Sequence, residues 1–277
     1  MDVEKQVAAH YTGGGLEEKI LSTLRSAGKD LAQLRTDDFA TIDDLHVGGR
    51  EAIQELAGFM GLRPDMHLLD VGCGIGGSAR YFAERGCQVT GIDLTDEFVR
   101  VAEILTRLVK LDNKLRFRQA SALELPFDAG SFDGAYEVHV GMNIADKAGV
   151  FREVARVLRR GGRFAIFDIM RKGDGEFDFP VPWARSSETS FVASAEEYRQ
   201  ALEGAGFRIE HQRERRQFAI EFMQKAMARA ASASSERPAL GVQLMMGEQA
   251  PVMLKNVLGG FVSGGLEPVE LVGVIGD

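Results

Sequence analysis

The sequence lacks long hydrophobic runs, has few cysteines and has no basic, then apolar, leader at its start. No apolar stretch approaches the roughly 18 residues that cross a bilayer, so we expect no membrane span. Without a leader, we expect a cytoplasmic protein. The two cysteines among 277 residues, Cys73 and Cys87, have no CxxC or histidine-rich companions, and we therefore predict no metal site.

The chain also lacks an excess of positive charge. Its net charge is −8, and the lysines and arginines are scattered along the sequence, which argues against an extended nucleic-acid interface. A small or apolar molecule is the expected partner, and a monomer or a homodimer is the expected state. The hydrophobic fraction of 45% suffices for a large α/β domain with an elaboration that covers its ligand.

The most informative segment is residues 68–78, where an apolar run ends in an acid and is followed by glycines that open a helix. Glycines allow a tight turn and a close approach to a ligand. Gly72, Gly74 and Gly77 match the dinucleotide pattern G-x-G-x-x-G, which is weak evidence when it stands alone. Asp70 precedes the first glycine, where a carboxylate would repel a pyrophosphate but can bind a cationic amino group.

A second apolar run, residues 87–92, ends in Asp93. This is the position at which a carboxylate accepts hydrogen bonds from both ribose hydroxyls. A nicotinamide dinucleotide and S-adenosylmethionine would both use it.

Two further motifs follow, and together the four resemble the class I S-adenosylmethionine-dependent methyltransferases. They are Leu125-Pro126-Phe127 with the strand after it, and the helix-to-strand segment at 154–164. The resemblance covers residues 65–170 and, more loosely, 194–207. Within the family, the sequence is similar to the small-molecule group that includes ubiquinone-biosynthesis, sarcosine/dimethylglycine and sterol methyltransferases.

Strand and helix patterns alternate between residues 66 and 171, which implies parallel strands and right-handed crossovers. We predict an α/β fold with a Rossmann-like, doubly wound, mostly parallel seven-stranded sheet. The predicted strands are 67–71, 88–93, 115–119, 132–138, 162–168, 207–213 and an antiparallel 269–275. In such sheets ligands bind at the carboxyl ends of the strands, so Asp70, Asp93, Glu137 and Asp168 should surround one crevice.

The predicted organisation is an N-terminal helical cap over 1–64 and a methyltransferase Rossmann-like domain over 65–277. Residues 171–193 combine glycines and prolines with aromatic residues, which indicates a lid or a docked surface segment. Residues 217–265 predict a helical insertion over the substrate side, with an Ala/Ser link at 230–235.

The resemblance implies which residues contact S-adenosylmethionine, with S-adenosylhomocysteine as its product. The predicted cofactor contacts are Asp70, Gly72, Cys73, Gly74, Gly76, Asp93, Leu94, Ser121, Ala122, Leu123, Glu137 and Tyr11. Ser121 stands where many relatives have an aspartate. Some of these residues have a structural alternative. The glycines can serve the turn alone, Asp93 can cap the next helix, and Tyr11 can belong to a frayed terminus.

The candidate catalytic residues are His139, His46 and Glu137. Glu137 and His139 share strand parity, which predicts that they point to the same side. Asn143 falls where the resemblance places a histidine, so no familiar catalytic histidine carries over. An acidic acceptor needs a base, whereas a neutral amine needs mainly alignment. As the alternative, both histidines are structural residues of the pocket wall or of a helix start.

An apolar acceptor cavity is predicted from aromatic and methionine side chains of the lid and insertion: Trp183, Phe179, Phe191, Met245 and Met246. The same side chains can instead form the core between lid and insertion.

The leading prediction is methyl transfer to nitrogen, oxygen or carbon of a small organic acceptor. One alternative is an NAD(P)-dependent oxidoreductase, for which no hydride-transfer constellation follows the fourth strand. The other is a non-catalytic, cofactor-binding partner subunit.

Overall fold

A seven-stranded sheet forms the centre of the computed structural model, which describes residues 3–43, 46–232 and 243–276. The strands are β1 His67–Val71, β2 Gln88–Asp93, β3 Leu115–Gln119, β4 Phe132–Val138, β5 Leu158–Arg171, β6 Phe207–Glu214 and β7 Leu266–Ile275. Their order is β3-β2-β1-β4-β5-β7-β6, with β1 to β5 parallel and β7 antiparallel to both of its neighbours. The predicted fold class is confirmed.

Strands β1 to β4 have the predicted bounds, but β5 and β7 are longer than their patterns indicated. The two strands pair without a break from Arg163 opposite Val274 to Arg171 opposite Leu266. The pairing with β7 extends β5 to Arg171, and at the start of β5 Leu158 pairs with Phe132 of β4.

Helices flank the sheet, and further helices precede β1 and lie between β6 and β7. They are α1 Val3–Tyr11, α2 Leu16–Ser26, α3 Ala40–Asp43, α4 Gly49–Phe59, α5 Gly77–Glu84, α6 Asp96–Leu108, α7 Lys147–Val157, α8 Ala195–Gly204, α9 Arg216–Ser232, α10 Gln243–Met246 and α11 Ala250–Ser263. Helices α1 to α4 lie within residues 1–64, and α9 to α11 overlap residues 217–265. The predicted link at 230–235 overlaps the end of α9, and its remainder lies outside the described residues.

Side-chain alternation divides the core between the two faces of the sheet. Leu69 and Phe164 face α7 and α8, whereas Leu68 and Phe167 face α4 and α5. All four side chains are fully buried, as expected for a sheet with helices on each side.

Helix α2 packs on α6 rather than on the sheet. Ile20 and Leu24 of α2 share a buried cluster with Phe98 and Leu105 of α6. The lid and insertion form another cluster, in which Trp183 contacts side chains of α9 and α11. These two clusters lie beside the carboxyl ends of the parallel strands. Among the described residues, no helix is long and apolar enough to cross a bilayer.

Candidate active site

A cavity of about 1530 Å³ lies at the carboxyl ends of β1, β2, β4 and β5. Its walls come from the glycine turn, the end of β2, the loop after β4, helix α1, the lid and the insertion. Asp70 and Asp93 both line it, which confirms that neighbouring strand ends bring these two predicted residues together.

The glycine turn is built by backbone conformations that favour glycine. Gly72 has φ 70°, and a Cβ at this position would lie 2.4 Å from a methyl carbon of Val140. Gly74 has φ 53° with open space beside it, and it lines the cavity. Gly76, a predicted cofactor contact, does not line the cavity. A Cβ at this position would lie 2.8 Å from a ring carbon of Phe117. Gly76 serves the turn and the start of α5 instead.

The carboxylate of Asp93 is held by two backbone donors. Its Oδ2 accepts a hydrogen bond from the amide of Gly74 at 2.9 Å, and its Oδ1 accepts one from Thr95 at 2.8 Å. Helix α6 begins after Thr95, so Asp93 does not cap the helix. Burial raises the pKa of Asp93, while these hydrogen bonds oppose the shift. The turn thus orients a carboxylate toward the cavity.

Asp70 is a buried carboxyl group close to a second acid. Burial raises its pKa to about 8, and the charge of Asp93 adds to the shift. Among the described residues, its Oδ2 has no hydrogen-bond partner. A cationic ligand group beside Asp70 would favour its charged form.

Helix α1 lies across the cavity and connects its walls. The hydroxyl of Tyr11 donates to Oδ1 of Asn143 at 2.9 Å, and Nδ2 of Asn143 donates to the carbonyl of Trp183 at 2.7 Å. Behind α1, the Glu97 carboxylate accepts hydrogen bonds from the amides of Gly14 and Leu16 at 3.0 and 2.9 Å. Tyr11 therefore belongs to an ordered arm rather than to a frayed terminus.

The two candidate histidines, His46 and His139, lie side by side on the cavity wall, with ring centroids 5.9 Å apart. Burial lowers the pKa of His46 to about 4 and that of His139 well below its usual value. Both rings are therefore neutral at pH 7. The residues before His46 in its sequence motif, Asp44 and Leu45, lie outside the described residues.

Glu137 does not share a side with His139, so that prediction was wrong. Glu137 is 1% exposed and does not line the cavity. Burial and the charge of Asp168 raise its pKa well above its usual value. His139 has φ 55°, and this left-handed residue ends the strand alternation and turns its ring toward Phe167.

Asp168 anchors the loop that carries His139, although it does not line the cavity itself. Its carboxylate accepts hydrogen bonds from the amides of Val140 and Gly141, both at 2.9 Å, and from the hydroxyl of Tyr198 at 2.7 Å. A Cβ on Gly141 would lie 2.2 Å from that hydroxyl, so only glycine allows this packing.

In the segment after β3, Ala122 and Leu123 line the cavity and Ser121 does not. The Ser121 hydroxyl donates to a carboxylate oxygen of Glu4 on α1 and accepts from the amide of Leu123 at 3.0 Å. Ser121 therefore holds the arm and the loop together.

Among the predicted acceptor residues, Trp183, Met245 and Met246 line the cavity, whereas Phe179 and Phe191 do not. Phe179 packs on Phe177 within the cluster of the lid and insertion, with ring centroids 5.2 Å apart. Phe191 contributes its backbone, since its amide donates to the Met142 carbonyl at 2.8 Å.

Sequence reasoning missed several cavity residues that come from distant parts of the chain: Met142, Ile169, Met223 and Met253. Met223 is on α9 and Met253 on α11, where helical spacing alone does not distinguish a cavity wall from an ordinary core. The methionine content of the insertion was the available signal, and it led to Met245 and Met246 instead.

Comparison with known proteins places this site in a family. The family described as Methyltransferase domain matches residues 69–166. The O-methyltransferase resE of Aspergillus sclerotiorum is 32% identical over 177 residues, which are 62% of this chain and 66% of the relative. Residues 69–166 of the chain thus match a methyltransferase domain.

Other methyltransferases similar to this one differ in the atom that they methylate. The sarcosine/dimethylglycine N-methyltransferase of Halorhodospira halochloris is 30% identical over 175 residues, 63% of this chain and 62% of the relative. The geranyl diphosphate C-methyltransferase of Streptomyces coelicolor A3(2) shares the fold with a TM-score of 0.69 at 20% identity, over 95% of this chain and 98% of that one.

The match to these curated relatives is partial in length. The chain spans 66% of the first relative and smaller shares of several others. Their names include N-, O- and C-methyltransferases, and they give no support to the oxidoreductase alternative.

Proposed function

We propose that this protein transfers a methyl group from S-adenosylmethionine to a small organic acceptor. The observation that carries the proposal is the pair of carboxyl groups at adjacent strand ends, Asp70 and Asp93, beside an open glycine turn on one cavity. The match to a methyltransferase domain supports it, as do structural neighbours solved with S-adenosylhomocysteine.

The residues of the turn fit this cofactor. The unpartnered Oδ2 of Asp70 lies where a cationic amino group would compensate its burial. Asp93 is oriented by Gly74 and Thr95 to accept the ribose hydroxyls. Ala122 and Leu123 supply the wall for the adenine. The open space beside Gly74 allows the backbone to approach the ligand closely.

The cofactor supplies an electrophilic methyl group on a sulfonium. The protein must then align the acceptor with it and exclude water. Tyr11, Asn143 and Trp183 connect three walls of the cavity through hydrogen bonds. His46 and His139 are neutral and adjacent, so either can accept a hydrogen bond from an acceptor hydroxyl or amine.

Calorimetric titration tests the proposal directly. S-adenosylmethionine and S-adenosylhomocysteine should each bind with one molecule per chain, and NAD should give no binding heat. Tight NAD binding without S-adenosylhomocysteine binding would restore the oxidoreductase alternative. Cofactor binding without turnover of any acceptor tried would favour the non-catalytic subunit.

A further inference from the structure

Methionine is abundant in the lining of the cavity. Six of the ten methionines in the chain line the cavity: Met142, Met223, Met227, Met245, Met246 and Met253. The thioether is polarizable, and its unbranched side chain adapts to ligands of irregular shape. A wall so rich in methionine indicates contact with an apolar ligand surface.

Part of this surface is a continuous apolar face, which we call the methionine wall and define as Met142, Ile169, Trp183, Met223, Met253 and Val257. All six residues line the cavity, and all of them except Met253 belong to one buried cluster. Met142 is 2% exposed, Met253 4% and Met223 5%, so the wall is shielded from bulk solvent.

The charged residues in the described lining of the cavity lie at the cofactor end, bond to other side chains or are exposed. Asp70 and Asp93 belong to the cofactor end. Three more are bonded to other side chains, in the pairs Glu4 with Ser121, Asp43 with Arg80, and Arg50 with Asp37. The rest are exposed at the rim: Lys19, Glu51, Asp146, Arg185, Arg229 and Glu248.

The two neutral histidines lie beside the methionine wall. Val47, which follows His46, packs in the same cluster as Met142. Nε2 of His46 and Nε2 of His139 are buried, and neither has a hydrogen-bond partner among the described residues. Buried polar atoms of this kind favour a ligand that hydrogen-bonds to them.

We propose that the acceptor is a bulky, uncharged, predominantly apolar molecule that packs against the methionine wall and presents one hydroxyl group to His46 and His139. When the hydroxyl oxygen takes the methyl group from the sulfonium, S-adenosylhomocysteine is the leaving group and the hydroxyl proton passes to Nε2 of one of these histidines. The inference rests on the proposed methyltransferase function and specifies its substrate class. A charged acceptor would lose its hydration at a wall that has no buried partner for it, and this costs binding energy. An aliphatic amine is protonated at pH 7 and falls under the same penalty, whereas a hydroxyl is neutral and can donate a hydrogen bond to either histidine.

Calorimetry on protein saturated with S-adenosylhomocysteine tests the substrate class with four probes. They are 2-naphthol, naphthalene-2-carboxylate, sarcosine and phosphoethanolamine. We expect 2-naphthol to bind at least about tenfold more tightly than the carboxylate of the same shape, because only the carboxylate buries a charge. Sarcosine and phosphoethanolamine should bind more weakly still. Equal or tighter binding of any charged probe would overturn the inference, as would the absence of 2-naphthol binding.

Two variants place the probe within the cavity. Met223→Ala should weaken 2-naphthol binding by about fivefold or more, since it removes part of the wall. Met60→Ala is the matched control, because Met60 is equally buried but lies in the core between α4 and the sheet. An equal effect of both changes would contradict the assigned site.

A third variant tests the polar contact. His46→Phe keeps a ring of similar size and removes the nitrogens, so it should reduce the preference for 2-naphthol over naphthalene. An unchanged preference would remove His46 from the proposal. S-adenosylhomocysteine is titrated first in every case. If it fails to bind the parent protein, the methyltransferase proposal fails, whereas normal cofactor binding with a preference for charged probes overturns the acceptor class alone.

Discussion

The two ends of the cavity differ in how the chain builds them. The cofactor end comes from one β-α-β unit, in which Asp70, the glycine turn and Asp93 are near in sequence and a hydrogen bond joins Gly74 to Asp93. The acceptor end is assembled from the loop after β4, the lid and two helices of the insertion, which share one buried cluster. Local geometry therefore determines the first end, and tertiary packing determines the second.

This difference has a physical reason. Adjacent parallel strands end at the same edge of a sheet, so a residue at the end of β1 and one at the end of β2 must meet. No comparable rule connects Met142 with Met223 or Met253. Their proximity depends on how the insertion packs, and this can vary while the sheet stays the same. The effects of single substitutions at the cofactor end should therefore be predictable from the sequence.

The largest expected effect is at the cofactor end. Asp93→Ala removes the acceptor for the ribose hydroxyls and should weaken S-adenosylhomocysteine binding by about 1.5–3 kcal/mol, or roughly 10–150-fold. Calorimetry measures the loss. Asp96→Ala is the matched control, because this neighbouring acid has a side chain that is 53% exposed and bonds to Arg100 on the surface. Equal losses in the two variants would contradict the assigned contact.

The second effect is a pH dependence that originates at Asp70. Its pKa of about 8 means that the carboxyl is mostly protonated at pH 7 without ligand. A cationic amino group favours the ionised form, so cofactor binding should release a proton below pH 8. Affinity for S-adenosylhomocysteine should then rise with pH by up to about tenfold per unit between pH 6 and 8, and level off above.

Titrations in two buffers with different ionisation enthalpies count the released protons. In Asp70→Asn, the side chain no longer titrates, and the proton release should disappear. Proton uptake by the parent protein, or an affinity that does not change with pH, would refute the role of Asp70.

A smaller effect is expected where the two ends meet. Tyr11→Phe removes one neutral hydrogen bond to Asn143 and should weaken S-adenosylhomocysteine binding by about 0.5–1.5 kcal/mol, because the arm closes less firmly. In the complex with S-adenosylhomocysteine, the amides of α1 should exchange with solvent faster in this variant than in the parent protein. Tyr81→Phe on α5 is the control, since Tyr81 does not line the cavity. Unchanged protection of α1 in Tyr11→Phe would show that this hydroxyl does not hold the arm.

The difference between the two ends of the cavity also explains which features can be predicted from the sequence. The spacing of apolar residues and the positions of turn residues predicted the bounds of β1 to β4. They also predicted the presence and direction of the antiparallel β7, although not its full length. Asp70, Asp93 and the glycine turn follow from strand ends. Strand parity failed at His139, because one left-handed residue changes the direction of all that follows. Phe191 was misassigned because aromatic content does not reveal whether a side chain faces a cavity or a core.

Methionine methyl NMR tests the two-ended cavity most directly. In protein labelled with [methyl-¹³C]methionine, S-adenosylhomocysteine should first shift Met245, which packs beside the cluster containing Ile75 and Phe98. Adding 2-naphthol should then shift Met223 and Met253, while Met60 remains unchanged at both steps. If 2-naphthol instead reverses the shift of Met245, the two ligands compete for one site, and the account of two separate ends is wrong.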